Sequence, residues 1–238
     1  MTQALIEARG LRYRYEDGTV ALDGVDFTMQ PGETVAVLGP NGSGKTTFVL
    51  HLNGLLEGEG SVTICGMPVE KRTLAAIRRK VGMVFQDPDE QLFMPTVLED
   101  VAFGPLNLGS PPDEAAELAR QFLGLVGMAS AVAKAPYHLS EGEKRRVAIA
   151  GVLAMQPEIL ILDEPTTFLD PPGQKEFLSL LRRLPQAKMI VTHNTGFAEA
   201  LATRAVFFER GKIVGDGRPS EILHRFAWSP VVLSRPEA

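Results

Sequence analysis

The segment TVAVLGPNGSGKT, Thr34 to Thr46, joins an almost unbroken apolar run to a glycine-rich loop ending in lysine and threonine. A run of that kind suits a strand covered on both faces. Gly39, Gly44, Lys45 and Thr46 complete the spacing G-x-x-x-x-G-K-[ST], with Pro40, Asn41, Gly42 and Ser43 between them. Gly42 and Gly44 let the backbone curl so that its N–H groups converge on phosphate oxygens. A helix expected over Lys45 to Leu55, with Thr47 in its first turn, adds the positive end of its dipole. Lys45 brings a full charge to the β- and γ-phosphates, and the Thr46 hydroxyl suits Mg²⁺. A chance glycine loop would lack the strand before it and the helix after it. The segment therefore predicts an α/β fold built around a site for a magnesium nucleotide.

The rest of the chain is consistent with one large domain, or two lobes sharing a core, of 238 residues. A formal net charge of -5 argues against a nucleic-acid partner, which normally meets a basic face. Cys65 is the only cysteine, so an internal disulfide is excluded and a reducing compartment is the natural setting. Its place in a strand beside a glycine turn predicts a small buried hydrophobe. The start, MTQALIEARG, puts Glu7 where a signal peptide would be apolar. No apolar run approaches the roughly 18 residues of a membrane span.

Two alternating runs flank the Asp17-Gly18 turn, one through Tyr13 and Tyr15 and one from Val20 to Met29, and predict an antiparallel β layer. Further strands are expected at Ser61 to Ile64, Val81 to Gln86, Ile159 to Leu162 and Met189 to Thr192. Between Asp87 and Gln156 prolines punctuate helical patterns, the clearest at Asp113 to Leu125 and Glu143 to Met155. Residues 87–156 thus read as a helical insertion between core segments 1–86 and 157–225, with 226–238 as a tail in which Trp228 would anchor packing. Lys144, Arg145 and Arg146 read as a solvated helix face.

ILILDEP sets Asp163 and Glu164 at the end of a buried strand, where an acid can reach a ligand in the crevice. Asp163 would hold the Mg²⁺ shell, and Glu164 would polarise the attacking water. The same residues are also good turn chemistry. His193 ends the strand run VTH in the same way and is a candidate γ-phosphate contact. Ser140 and Glu143 form the capping-box pattern S-x-x-E, and a capped helix start is also an anion site.

The stretch HLSEGEKRRVAIAGVLAMQPEILILDEPTTFLDP, His138 to Pro171, resembles the ATPase subunits of ABC transporters, and the likeness runs from about Leu5 to Leu223. LSEGE, Leu139 to Glu143, stands at that family's signature, L-S-G-G-Q. Gln86 stands at its glutamine-loop position and would reach the Mg²⁺. FLD, Phe168 to Asp170, stands at the D-loop, His193 at the switch histidine, and Tyr15 at the aromatic that stacks on adenine. The resemblance implies a P-loop NTPase core with an antiparallel β subdomain and a helical subdomain, binding ATP and Mg²⁺. It also implies a composite site in which Ser140, Gly142 and Glu143 of one chain face the nucleotide of another. A homodimer suffices for this, and a heterodimer stays open. Glu141 departs from the family's glycine and brings negative charge toward the γ-phosphate unless it points away. Phe168 is bulkier than the usual D-loop residue.

QDPDEQLFMPTVLEDVAFGPLNLG, Gln86 to Gly109, is similar to the ATPases of energy-coupling-factor importers, with the cobalt/nickel type nearest. That likeness implies a peripheral subunit at the cytoplasmic face of the membrane. Its partners would be a transmembrane coupling protein and a substrate-binding membrane protein. Gln91, Leu92 and Phe93 would line the groove that receives the coupling helices. The short stretch after Leu223 fits a metal-type subunit better than a vitamin-type one. A vitamin importer ATPase, a soluble non-transport ABC ATPase and a nucleotide-gated module with little hydrolysis are the competing readings.

Overall fold

The computed structural model describes residues 3–228. In chain order the elements begin with strands β1 (Ile6–Arg14), β2 (Val20–Met29) and β3 (Thr34–Leu38), followed by helix α1 (Lys45–Leu52). Strands β4 (Glu59–Ile64) and β5 (Met67–Pro68), helix α2 (Leu74–Lys80) and strand β6 (Val81–Val84) come next. Three helices follow: α3 (Val97–Asn107), α4 (Pro112–Leu125) and α5 (Glu141–Ala154). The chain then alternates through β7 (Ile159–Asp163), α6 (Pro171–Arg183), β8 (Ala187–Val191) and α7 (Thr195–Leu201), and closes with β9 (Arg204–Glu209), β10 (Lys212–Gly217) and α8 (Pro219–Arg225).

These strands form two sheets. The first is antiparallel, in the order β2-β1-β4-β5; the second runs β10-β9-β3-β8-β7-β6, parallel except for β10. The apolar runs read as doubly covered strands occupy the middle of the second sheet, and β3, β7 and β8 are buried along their whole length. Their two faces serve different cores. Ile159 and Ile161 of β7 face a core with Phe48 of α1 and Leu11, Leu22 and Phe27 of the antiparallel sheet. Leu160 and Leu162 face a second core with Val101, Ala119, Leu123 and Leu153 of the three-helix segment. Ala36 and Leu38 of β3 belong to a third, with Phe207, Ile222 and the Trp228 ring, which meets Phe207 edge-on. The anchoring expected of Trp228 is thus present; residues 229–238 of the expected tail lie outside the described chain.

Several expected boundaries shift. Helix α1 ends at Leu52, a turn short of Leu55, because Asn53 caps it and Gly54 takes a left-handed conformation. The strand leading to Gln86 stops at Val84, leaving Gln86 in an exposed bend. Helix α5 starts at Glu141, directly after its cap. Cys65 is not inside a strand. With φ of 48° it forms, together with Gly66, the two-residue turn between β4 and β5, where it is half-buried. Its thiol lies 3.6 Å from Glu158 Oε2, and burial pushes its pKa up to about 11.

Candidate active site

Register decides what meets at the edge of the second sheet. Val37 of β3 pairs with Val191 of β8, Asp163 of β7 also pairs with Val191, and Val84 of β6 pairs with Leu162. Four parallel strands therefore end together. Their following residues, the Gly39–Thr46 loop, Gln86, Glu164 and His193, emerge side by side, as expected for a crevice at strand C-termini.

The loop is shaped by close backbone approach. A Cβ on Gly39 would stand 2.2 Å from the Phe208 carbonyl oxygen, and one on Gly44 would stand 2.3 Å from that of Ala21. Pro40 and Asn41 form the exposed crest, and Gly42, at φ of 73°, borders open space. The Lys45 ammonium donates to the carbonyls of Gly39 (2.8 Å) and Pro40 (2.9 Å), so its charge is held within the loop. Burial lowers its pKa, opposed by the nearby charges of Glu164 and Asp163.

Thr46 Oγ1 donates to Asp163 Oδ2 at 3.0 Å, joining the phosphate-loop hydroxyl to the acid at the end of β7. Burial raises the Asp163 pKa, while the Thr46 hydrogen bond lowers it. Glu164 is buried and left-handed, with φ of 44°, a conformation that costs a non-glycine residue about 1–3 kcal/mol. Its Oε2 accepts from the Thr192 hydroxyl and the His193 amide, both at 3.3 Å, and its Oε1 lies 2.9 Å from His193 Nδ1. Tyr15, at the start of the β1–β2 turn, is tied by its hydroxyl to Thr47 Oγ1 at 2.9 Å and packs edge-on against Tyr13.

A magnesium nucleotide fits these residues. The buried Ser43 hydroxyl has no hydrogen-bond partner, and a phosphate oxygen would satisfy it. Among the described residues no three metal-ligating side chains cluster. A Mg²⁺ held by Thr46, Asp163 and phosphate oxygens needs no such cage.

Ser140 and Glu143 form a complete capping box: Glu143 accepts from the Ser140 amide and hydroxyl at 2.8 Å, and Ser140 Oγ accepts from the Glu143 amide at 3.4 Å. This face, with Gly142 and Phe168, lies on the surface; Phe168 is 59% exposed and left-handed. It is not among the groups that gather at the strand edge.

The solvated face expected of Lys144, Arg145 and Arg146 is overturned at Lys144 and Arg145, while Arg146 stays partly exposed. Arg145 is 0% exposed, and Lys144 is buried. Arg145 Nη1 donates to the Phe85 carbonyl at 2.5 Å and Nη2 to that of Gln86, while Arg146 pairs with Glu176. Lys144 bridges Glu141 and Asp89, so Glu141 spends its charge on a neighbouring cation. The helical period carried the missed signal: position 145 shares a face with Ala148, Ile149 and Val152, which are buried. Thr192 was also missed, because a threonine before a strand-end histidine has no distinctive spacing.

Gln91 lines the expected groove, with its side-chain amide engaged by the main chain. Its side chain accepts from the Phe85 amide and donates to the Met83 carbonyl, closing the end of β6. Leu92 packs on the helical core. Phe93 is 63% exposed and stacks edge-on with Phe103. Both rings line a groove of about 140 Å³ with Gly104, Gly151 and Met155.

A parallel sheet that ends in a lysine-bearing phosphate loop beside two strand-end acids defines a P-loop nucleotide hydrolase. The family model for ABC transporters matches residues 22–167, and the chain belongs to that family as an ABC-type ATPase. It is 53% identical over 219 residues to a protein of Streptomyces avermitilis named as an ABC transporter ATP-binding protein, covering 92% of this chain and 84% of that one. It is 46% identical to the energy-coupling factor transporter ATP-binding protein EcfA of Methanocaldococcus jannaschii, covering 92% and 80%. Among solved structures it is similar to cbiO1 of Clostridium perfringens, part of the ABC transporter complex cbiONQ, with a TM-score of 0.83, 36% identity and coverage of 94% and 92%. It is also similar to the ATP-binding cassette MJ0796, seen as a post-hydrolysis dimer with ADP and Pi, with a TM-score of 0.82, 28% identity and coverage of 90% and 98%. Among the described residues no helix is long and apolar enough to cross a membrane.

Proposed function

We propose that this chain is the ATP-hydrolysing subunit of an energy-coupling-factor importer for cobalt or nickel ions, working as a dimer at the cytoplasmic face of the membrane. The observation that carries the hydrolytic part is the Glu164 carboxylate, fixed by Thr192 and His193 at the strand edge that also bears the phosphate loop. In this reading the 39–46 amides, Ser43 and Lys45 hold the phosphates, and Tyr15 stacks on the adenine. Thr46, Asp163 and Gln86 would hold the metal. A bound Mg²⁺ would neutralise charge that builds on the β- and γ-phosphates. Glu164 accepts hydrogen-bonding from the attacking water, and His193 orients it. Hydrolysis breaks the bond between the β–γ bridging oxygen and the γ-phosphorus and forms one from the water oxygen to that phosphorus. A water proton is taken up by Glu164 and passed to solvent, and ADP and phosphate are released. Ser140 and Gly142 of a second copy close the site from the other side.

The transport part rests on the EcfA and cbiO1 likenesses and on the exposed Phe93–Phe103 groove, which would take an apolar helix of a membrane coupling protein. The metal cargo rests on the sequence resemblance. The test is co-purification with the membrane proteins encoded alongside it, followed by Mg²⁺-dependent ATPase assay and labelled cobalt uptake in vesicles. Turnover above a Glu164→Gln control together with cobalt uptake supports the proposal. A complex without membrane proteins removes the importer reading, and uptake of another solute removes the metal.

A further inference from the structure

We infer that Lys144 and Arg145 form a clamp that makes the signature end of α5 and the glutamine-loop segment 85–90 move as one body, with both cations acting as positioning residues. Arg145 is wholly buried and has no carboxylate partner within ion-pair distance among the described residues. Its guanidinium is satisfied by the main-chain carbonyls of Phe85 and Gln86, and its Nε is buried without a partner. Burying a guanidinium without a carboxylate partner is unfavourable, because the charge loses its hydration and gains no opposite charge in contact. An apolar side chain of similar length would fill the space without that cost. What it could not do is fix two consecutive carbonyls, and those carbonyls flank the Cα from which the exposed Gln86 side chain departs.

Lys144 fastens the same segment at Asp89. Its ammonium lies 2.9 Å from both Asp89 and Glu141, and these two hydrogen bonds push its pKa up to about 12. Asp89 follows Pro88 in a short 3₁₀ turn capped by Asp87, so the bridge meets a stiff element. Glu141 is the first residue of α5, one position after Ser140. The clamp therefore joins a segment that serves the chain's own nucleotide to a helix start that serves a second copy's. Glu141 in place of glycine becomes part of this connection. The functional consequence rests on the proposed roles of Gln86, Ser140 and Gly142; the clamp itself rests only on geometry.

The experiment uses the full chain in its complex, with Arg145→Met as a volume-matched variant and Lys144→Gln as a milder one. Hydrogen exchange of the Phe85, Gln91 and Leu92 amides reads the clamp without reference to activity. We expect those amides to exchange at least about tenfold faster in Arg145→Met and less so in Lys144→Gln, with β7 unchanged, since local opening is governed by local contacts. Unchanged exchange in a folded Arg145→Met, or in Lys144→Gln should the former not fold, overturns the clamp. The ATPase assay reads the coupling. Arg145→Met is expected to lower kcat about tenfold, change KM less than threefold and bring the Hill coefficient for ATP toward 1. Faster exchange with wild-type kcat and cooperativity would keep the contact but refute its coupling role. A wild-type complex without Mg²⁺-dependent turnover would instead overturn the functional reading beneath it.

Discussion

His193 Nδ1 lies 2.9 Å from Glu164 Oε1, while Glu164 Oε2 accepts from the hydroxyl and amide of Thr192 and His193, the two residues that follow β8. The carboxylate is thus fixed by residues that directly follow the neighbouring strand. Glu164→Gln keeps the shape and removes the charge. Nucleotide binding is expected to stay within about threefold of wild type while kcat falls by about 100-fold or more, the range for loss of a general base. The closed dimer should accumulate with ATP, which size-exclusion chromatography would show. Wild-type turnover in this variant would remove Glu164 from the reaction.

Lys45 is held on the carbonyls of its own loop, where phosphates would also find its charge. Lys45→Ala removes a charge-assisted contact of about 1.5–3 kcal/mol. Nucleotide affinity should fall by about tenfold to more than 100-fold, measured by titration calorimetry. An unchanged dissociation constant would show that the lysine does not contact the phosphates.

Asp163 offers a test in which stability and activity move in opposite directions. Burial raises its folded pKa above the usual 3.8, so as pH climbs from 3.8 through the folded value the unfolded chain ionises first and stability falls. The penalty is complete at neutral pH. Asp163→Asn removes it, keeps an acceptor for Thr46, and should raise the thermal midpoint of the nucleotide-free chain at pH 7. Mg²⁺-dependent turnover should drop sharply. A lower midpoint at pH 7 and an unchanged one at pH 3 would mean that the ionised carboxylate stabilises the fold.

The loop glycines separate folding from binding. Gly39→Ala puts a methyl group 2.2 Å from the Phe208 carbonyl at φ of 137° and should unfold or severely destabilise the chain. Gly42→Ala meets no atom within 4 Å, so its cost is the left-handed φ of 73°, about 1 kcal/mol. It should fold and bind nucleotide more weakly. Denaturant unfolding of the two proteins distinguishes these outcomes.

Much of this arrangement was legible in the sequence because it depends on short-range chemistry. The strand–loop–helix around Gly39 to Thr46, the acids after ILIL and the Ser140–Glu143 box all declare themselves by spacing within one segment. Tertiary contacts decided the rest. Nothing local to Arg145 says that its guanidinium finds two carbonyls 60 and 59 residues earlier, and nothing local to Gln91 says that it closes β6. A sequence places charged and amide side chains on the surface because burial of such groups is uncommon without a partner. Here the partners are main-chain atoms, which leave no trace in residue identity. Cys65 escaped for a different reason: a cysteine in a left-handed turn position goes against propensity, and the following Gly66 hid the turn's first residue.

The two faces of β7 bear on how such chains can be recombined. Leu160 and Leu162 pack with the three-helix segment, whereas Ile159 and Ile161 pack with α1 and the antiparallel sheet. A chimera that takes residues 87–156 from another protein inherits a junction that does not stop at residue 156. The donor segment must fit two leucines belonging to the host, on the strand that carries the host's acids. Grafts should therefore succeed only when β7 travels with the helices, or when the donor's own strand has the same shape on that face.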